Sequence, residues 1–388
     1  MQPQFDVIVI GAGIHGAGVA QAAASMGYRV LVLEQSAVAA ATSSRSSKLI
    51  HGGLRYLETA QFGLVRECLN ERRILLQIAP HLVHLLPFYI PVYKTSRRSS
   101  WQIAFGLRFY HALSGFDQHA RFQRLQAPEY SALAGLQQQD LRTVFQYYDA
   151  QTDDVQLTRA VMASAQHFQA ILELGASVHA IEKKQQHWSL RYRCQHEEKQ
   201  ASAYCVVNAA GPWVNKVHAM LSTPFAEAEV DLVQGTHIVV QRESQTAAYY
   251  VESPQDRRAV FVLPWQGMTM IGTTETAFTG DPAKVAPQQR EIDYLIDCYN
   301  AYFPDYALTA ADISHSFAGL RVLPRANASH HKRKRETVLL SNPRAPAYLA
   351  IYGGKLTAYR HTAERVMLQL KSFLAPPKTP LQTQHIKL

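Results

Sequence analysis

The stretch "FDVIVIGAGIHGAGVAQAAASMGYRVLVLEQ", residues 5–35, constrains the fold more than any other. It reads as an apolar strand, a glycine turn, a helix of small residues, Gly27 as the helix stop, and a second apolar strand ending at Glu34. Gly11 permits the tight turn, Gly13 lets the backbone approach a pyrophosphate, and Gly16 lets helix and strand pack closely. The free N–H groups of the helix start bind phosphates. Glu34 ends the second strand where a carboxylate accepts the hydroxyls of an adenosine ribose, which disfavours a 2′-phosphate. The pattern predicts a dinucleotide-binding α/β domain; the alternative is a glycine turn kept only for packing.

Two later segments return to this domain. "VVNAAGPWVN", residues 206–215, is an apolar strand running into Ala-Ala-Gly-Pro, without a glycine fingerprint of its own. "YLAIYGGKLTAYRHTAERVMLQL", residues 348–370, supplies a strand, Gly353-Gly354 and a helix. One cofactor cradled by both ends of the chain points to FAD rather than NAD. With 388 residues the chain is long enough for two or three structural units. No apolar run is long enough to cross a bilayer, and the first residues lack the features of a signal peptide. A cytoplasmic protein is therefore expected. Cys68, Cys194, Cys205 and Cys298 are scattered without ligand spacing, so buried free thiols are expected and no metal site. The net charge of +9 implies anionic partners, which charge alone does not identify: phosphorylated substrate, cofactor phosphates, lipid headgroups or nucleic acid.

Taken together and in order, "ATSSRSSKLIHGGLRYLE", "VVNAAGPWVN", "QGTHIVV", "VFVLPW" with "IGTTET", "AGLRVLPR" and "YGGKLTAYR" resemble the FAD-dependent glycerol-3-phosphate dehydrogenases, within the D-amino-acid-oxidase-like superfamily. The resemblance covers nearly the whole chain. It implies a Rossmann-type FAD-binding domain of the glutathione-reductase type (1–80, 150–215 and 331–388) and an α+β substrate domain on a mixed or antiparallel sheet (81–149 and 216–330). It also implies hydride transfer from C2 of glycerol 3-phosphate to the flavin, with electrons passing to quinone or oxygen. No Cys or His lies in a recognisable flavin-attachment motif, so FAD is expected to be noncovalent.

On this footing Thr42, Ser43, Ser44 and Ser47 are expected at the pyrophosphate and ribityl chain, and Gly52 and Gly53 against the isoalloxazine. Ala210 and Gly211, and the run Gly353, Gly354, Lys355, Leu356 and Thr357, complete the cofactor contacts. Arg55 and Tyr56 would project into the substrate cavity, where a guanidinium fork and a phenol bind a phosphate dianion. Arg321, Arg335 and Lys355 would add cations that also steady the alkoxide formed at C2. Arg335 lies in the basic run "HHKRKRE", which reads equally well as a solvated hairpin tip, with Arg333 as its substitute. His237 is the nominated general base and His51 the alternative; nearby cations should keep the imidazole neutral and able to accept a proton.

Three features depart from the family pattern: Gln234 where lysine is usual, Glu275 where aspartate is usual, and a compressed segment near 175–190. The chain also stops soon after "TAYRHTAERVMLQLKSFL", where fuller members continue into a helical domain. That leaves open a short form with a simpler homodimer or membrane interface, or a related 2-hydroxy substrate. "KTSRRSSWQIAFGLRFYHALSGF", residues 94–116, mixes Lys94, Arg97, Arg98 and Arg108 with Trp101, Phe105, Phe109 and Tyr110. It suits either an interfacial helix on an anionic bilayer or a core-packed helix with a basic entry loop. A flavin amine or 2-hydroxy-acid oxidase and a non-enzymatic flavin-fold protein are the rival readings; nucleic acid is not the expected partner.

Overall fold

A computed structural model of the chain describes residues 2–223, 225–242, 247–325 and 337–388. Two sheets organise them. The first has eight strands, and its spine runs Val338–Asn342, Ala345–Tyr352, Glu197–Asn208, Phe5–Ile10, Val30–Glu34 and Ile171–Leu174. From Ala345–Tyr352 to Ile171–Leu174 every pairing is parallel. Parallel strands are buried on both faces, which is why "VIVI" and "VLVLE" read as unbroken apolar runs. Alternation still sorts them. Val7, Val9, Val30 and Val32 pack against the small-residue helix Ile14–Ser25 and the helices Asp154–His167 and Tyr359–Leu370. Ile8, Ile10, Leu31 and Leu33 face Trp188, Leu190 and Tyr192 of an antiparallel ribbon folded over the opposite side.

The glycine turn is sterically obligatory at two positions. Gly11 has φ +101°, and a Cβ there would stand 2.7 Å from the Ala209 carbonyl oxygen. A Cβ on Gly16 would stand 1.9 Å from the Gly11 oxygen. The first is set by the neighbouring strand, the second by the close approach of helix to turn.

The second sheet has ten strands and is mixed. Its long pairs are antiparallel, Val83–Tyr93 with Leu141–Thr152 and Val230–Val240 with Ile313–Pro324. Ala248–Glu252 lies parallel to Val83–Tyr93. Helix Gln289–Tyr302 covers one face through Leu295, Ile296 and Tyr299. Helices Phe62–Ile78 and Ser100–Leu113 bury Val65, Leu69, Leu107 and Tyr110 against another part of the sheet. The chain first joins this sheet at Leu49–Ile50, which pairs with Leu141–Thr152, so the segment after Glu34 passes directly from one sheet to the other. No helix of the described residues is long and apolar enough to cross a membrane. All four cysteines are free and buried.

Candidate active site

The segment between the sheets closes over a cavity of about 880 Å³ that reaches from the glycine turn to the second sheet. Its first wall is backbone. Gly11, Gly13, Ile14 and His15 present the start of helix Ile14–Ser25, where first-turn amides have no intrahelical acceptor. Ser43 Oγ accepts from Ile14 N at 2.9 Å, which fixes the loop over the helix start, and Ser43 lines the cavity there. Glu34 is buried at the end of its strand; Oε2 accepts from Ala12 N at 2.7 Å, and Oε1 accepts from Ser36 N at 2.9 Å. The carboxylate thus holds the glycine turn while lining the cavity.

The opposite end of the chain completes this wall. Gly353 to Thr357 line the cavity, and a Cβ on Gly354 would stand 2.1 Å from His15 Nε2. His15 is therefore wedged between the two glycine segments; its Nδ1 is buried without a hydrogen-bond partner, and burial lowers its pKa to about 4. Ala210 and Gly211 lie alongside. A helix start with free amides, a carboxylate at a strand end and a second glycine segment open to the same long cavity, and these residues fit FAD.

The second wall is charged. Arg55 and Tyr56 come from the 3-10 turn Leu54–Thr59, His237 and Arg321 from paired strands of the second sheet, and Lys355 from the glycine segment of the first. All five line the cavity, as does His51. Lys355 Nζ sits 3.5 Å from the Tyr56 ring centroid and 3.6 Å from Cys68 Sγ, a thiol that burial pushes up to about 11. Arg321 Nη1 donates to Glu275 Oε1 at 3.1 Å, and Arg55 Nη1 lies 3.5 Å from the same oxygen. Arg321 Nη2 also reaches Thr273 Oγ1 at 3.1 Å and the Thr274 carbonyl at 3.2 Å. The sequence led to the cations; the carboxylate that joins two of them was seen there only as a departure from pattern.

His237 Nε2 is 2.9 Å from Ser47 Oγ, and its ring stacks on Phe317 at 4.9 Å. Burial, then the Arg321 and Lys48 charges, push its pKa down to about 3, so the imidazole is neutral at any working pH. Cations were the anticipated cause, but burial is the larger one. Lys48 is itself neutralised by buried Asp154 at 2.6 Å, and Asp154 accepts in addition from Ser46 N and Oγ. That clamp ties the loop 44–48 to the start of helix Asp154–His167. Nothing local in the sequence announces a pair 106 residues apart.

Three nominated residues stand off the cavity wall. Ser44 Oγ turns away to donate to the Ala41 carbonyl at 2.8 Å. Gly16 serves the helix–turn contact already described. Gly52 backs onto Tyr110, where a Cβ would stand 2.4 Å from the hydroxyl; its N–H donates to that hydroxyl at 3.0 Å, above the buried Arg72–Asp149 pair. Its partner Gly53 does line the cavity and has φ +77°. Thr42 lines the cavity while its hydroxyl donates to the Leu320 carbonyl at 2.8 Å. Arg335, its substitute Arg333 and the domain boundary near 330 lie outside the described residues. Among the described residues no cluster of His, Cys, Asp and Glu is arranged to hold a metal ion.

Residues 6–360 match the family model of the FAD dependent oxidoreductases, DAO type. The chain belongs to that family. This FAD-dependent oxidoreductase is 38% identical over 383 residues to a glycerol-3-phosphate dehydrogenase of Pseudomonas aeruginosa, a match covering 96% of this chain and 72% of the relative. It is 36% identical to a D-erythritol 1-phosphate dehydrogenase of Brucella abortus, covering 94% and 73%. Among solved structures, a glycerol-3-phosphate dehydrogenase of Bacillus halodurans complexed with FAD superposes with a TM-score of 0.79 at 27% identity, covering 99% of this chain and 67% of that one.

Proposed function

We propose that this FAD-dependent oxidoreductase oxidises sn-glycerol 3-phosphate to dihydroxyacetone phosphate and passes the electrons to a quinone or to oxygen. The observation that carries the reading is that Arg55 and Arg321 meet on Glu275 and Lys355 stands over Tyr56, the neighbour of Arg55, all of them lining the cavity that the FAD cradle also lines. Bound FAD supplies the hydride acceptor. The chain supplies the rest. The guanidinium forks and the lysine hold the phosphate dianion by charge-assisted bonds, and Tyr56 keeps the Lys355 ammonium in place beneath its ring. The proton of the C2 hydroxyl passes to the Ser47 hydroxyl, which lines the cavity, as Ser47 gives its own proton to His237 Nε2. The depressed pKa of His237 keeps it neutral and able to accept, and a bound dianion offsets the Arg321 charge that opposes its protonation. Arg321 lies close enough to His237 to depress it, and so serves the phosphate and the developing oxyanion together.

The Brucella relative favours a second reading within the same chemistry, the phosphate ester of a longer polyol. Anaerobic bleaching of the flavin separates the readings. Glycerol 3-phosphate should bleach it fast, D-erythritol 1-phosphate more slowly, and glycerol, lactate and glycine hardly at all. Equal rates with glycerol and its phosphate would sink the phosphate site, and a faster reaction with the tetritol phosphate would move the substrate to that ester.

The acceptor side rests on helix Ser100–Leu113. Trp101 and Phe105 are 71% and 65% exposed one turn apart, with Arg97 and Arg108 exposed nearby and Phe109 packed edge-on to Phe62. An aromatic stripe flanked by arginines suits peripheral contact with an anionic lipid surface. Cosedimentation with phosphatidylglycerol vesicles, lost in Trp101→Ser/Phe105→Ser, tests it; unchanged cosedimentation of that variant would overturn it.

A further inference from the structure

The geometry points to Glu275 as a resident counter-anion of the substrate pocket, a carboxylate that competes with the substrate phosphate for Arg55 and Arg321 and so limits how tightly substrate and product are held. This rests on the reading that those arginines receive a phosphate ester. Glu275 Oε1 is 3.1 Å from Arg321 Nη1 and 3.5 Å from Arg55 Nη1, and the side chain is 5% exposed. One oxygen thus sits between the two guanidinium groups, in the place a phosphate oxygen needs.

The backbone that carries it is held from both sides. Thr273 Oγ1 accepts from Arg321 Nη2, and the Glu275 carbonyl accepts from Arg258 Nη1 at 3.1 Å. Behind the loop, the buried Glu291 carboxylate accepts from the flanking hydroxyls of Thr274 at 2.7 Å and Thr276 at 2.9 Å, and from Thr236 and Gln234 on the neighbouring strand. Burial would raise the Glu291 carboxyl, but those hydroxyls hold it below its usual range, so the anchor stays ionised. With the backbone of 273–276 fixed, Glu275 can yield the arginines only by turning its own side chain.

Two consequences follow. Arg55, Arg321 and Lys355 less Glu275 leave a pocket with two positive charges, enough to neutralise a phosphate monoester dianion without an excess. And because substrate and product carry the same phosphate, tighter holding of that group strengthens both equally and slows departure of the product without hastening the chemistry. A carboxylate already on the arginines restrains that holding. Its repulsion acts twice as strongly on a dianion as on a monoanion.

The test uses the FAD-loaded protein, with sulfate as a dianion and acetate as a monoanion, each titrated by perturbation of the flavin spectrum. Glu275→Gln keeps the shape and removes the charge. It should bind sulfate on the order of tenfold tighter, with a smaller gain for acetate, the sign expected when a like charge is removed. KM for glycerol 3-phosphate should fall while kcat falls or stays level. Glu275→Asp keeps the charge and should stay within about threefold of the parent for sulfate. Sulfate bound no tighter, or more weakly, by Glu275→Gln would overturn the assignment and make Glu275 a scaffold for the arginines. A parent protein that binds sulfate and is bleached by glycerol 3-phosphate, with an unresponsive variant, sinks this inference alone; a parent that does neither sinks the phosphate-ester reading beneath it.

Discussion

At one end of the cavity the wall is peptide backbone: the turn at Gly11 to His15, the loop after Glu34 and the Gly353-Gly354 segment, with a single carboxylate among them. At the other end the wall is charged side chain: two arginines on one glutamate, a lysine over a tyrosine, a histidine held by a serine. The backbone wall is defined by what is missing at Cβ, so it fails by collision. The charged wall is defined by charges brought together from remote strands, so it fails by imbalance. Substitutions at the two ends should therefore produce different kinds of damage, and measuring both FAD content and turnover tells them apart.

The largest effect is expected from adding bulk to the backbone wall. Gly16→Val puts a side chain 1.9 Å from a carbonyl oxygen that cannot move without the neighbouring strand, and should destabilise the protein by more than about 3 kcal/mol and leave it without FAD. A yellow, stable variant would show that the helix can retreat and that the wall is softer than described. The charged wall is probed by Arg321→Leu, which should keep its FAD and lose roughly 1.5 to 3 kcal/mol of transition-state stabilisation, about tenfold to more than a hundredfold in kcat/KM. Loss of FAD instead would mean that the two walls are not separable. Glu34→Ala crosses the comparison, a charge within the backbone wall. It should weaken FAD binding by about 1.5 to 3 kcal/mol, because the ribose contact and the Ala12 N–H tether go together. An unchanged FAD dissociation constant would remove the ribose role.

Each wall also contains one buried neutral histidine, which allows a direct comparison in the apoprotein. For His15 and His237 the folded pKa, about 4 and about 3, lies below the ordinary imidazole value of about 6.5. Above pH 6.5 neither state takes up the proton. Below it the unfolded chain does and the folded protein does not, so stability falls with pH between 6.5 and about 4, by about 1.4 kcal/mol per pH unit for each histidine. Melting temperature against pH should show this slope, and His15→Asn and His237→Asn should each remove part of it. A slope untouched by either variant would assign the acid sensitivity elsewhere. The smallest effect is expected from Ser44→Ala, whose hydroxyl closes on Ala41 O: about 0.5 to 1.5 kcal/mol of stability and no change in FAD affinity. A weakened FAD complex would return Ser44 to the cofactor wall.

The same contrast governs how much the sequence could disclose. The backbone wall was legible because its signals are local: "VIVIGAGIHG" encodes strand, turn and helix start within ten residues, and Glu34 follows at the strand end. The positions Arg55, His237, Arg321 and Lys355 could be named through resemblance, and all four line the cavity. Their partners could not. Whether Glu275 spaces two arginines apart or merely ends a strand depends on the register of Val233 opposite Arg321 and on the turn after Gly272, and neither is encoded nearby. Lys48 looks like one more cation for an anion site until Asp154 is seen to consume it. Gly52 reads like Gly53 in a string of letters; only the position of Tyr110 tells which glycine faces the cavity and which faces the helix behind.

The parallel pairing of Phe5–Ile10 with Glu197–Asn208, and of that strand with Ala345–Tyr352, sets a timetable for synthesis. At roughly 5 to 20 residues per second, the ribosome delivers the last of these strands about 15 to 70 s after the first. Throughout that interval the first strand, one of the most apolar stretches of the chain, has no completed sheet to enter, and nascent chains stalled before residue 345 should remain open to protease across residues 5–34. The FAD cradle is begun by the first of these strands and finished by the last, so the cell must shelter an unfinished, adhesive edge throughout that interval.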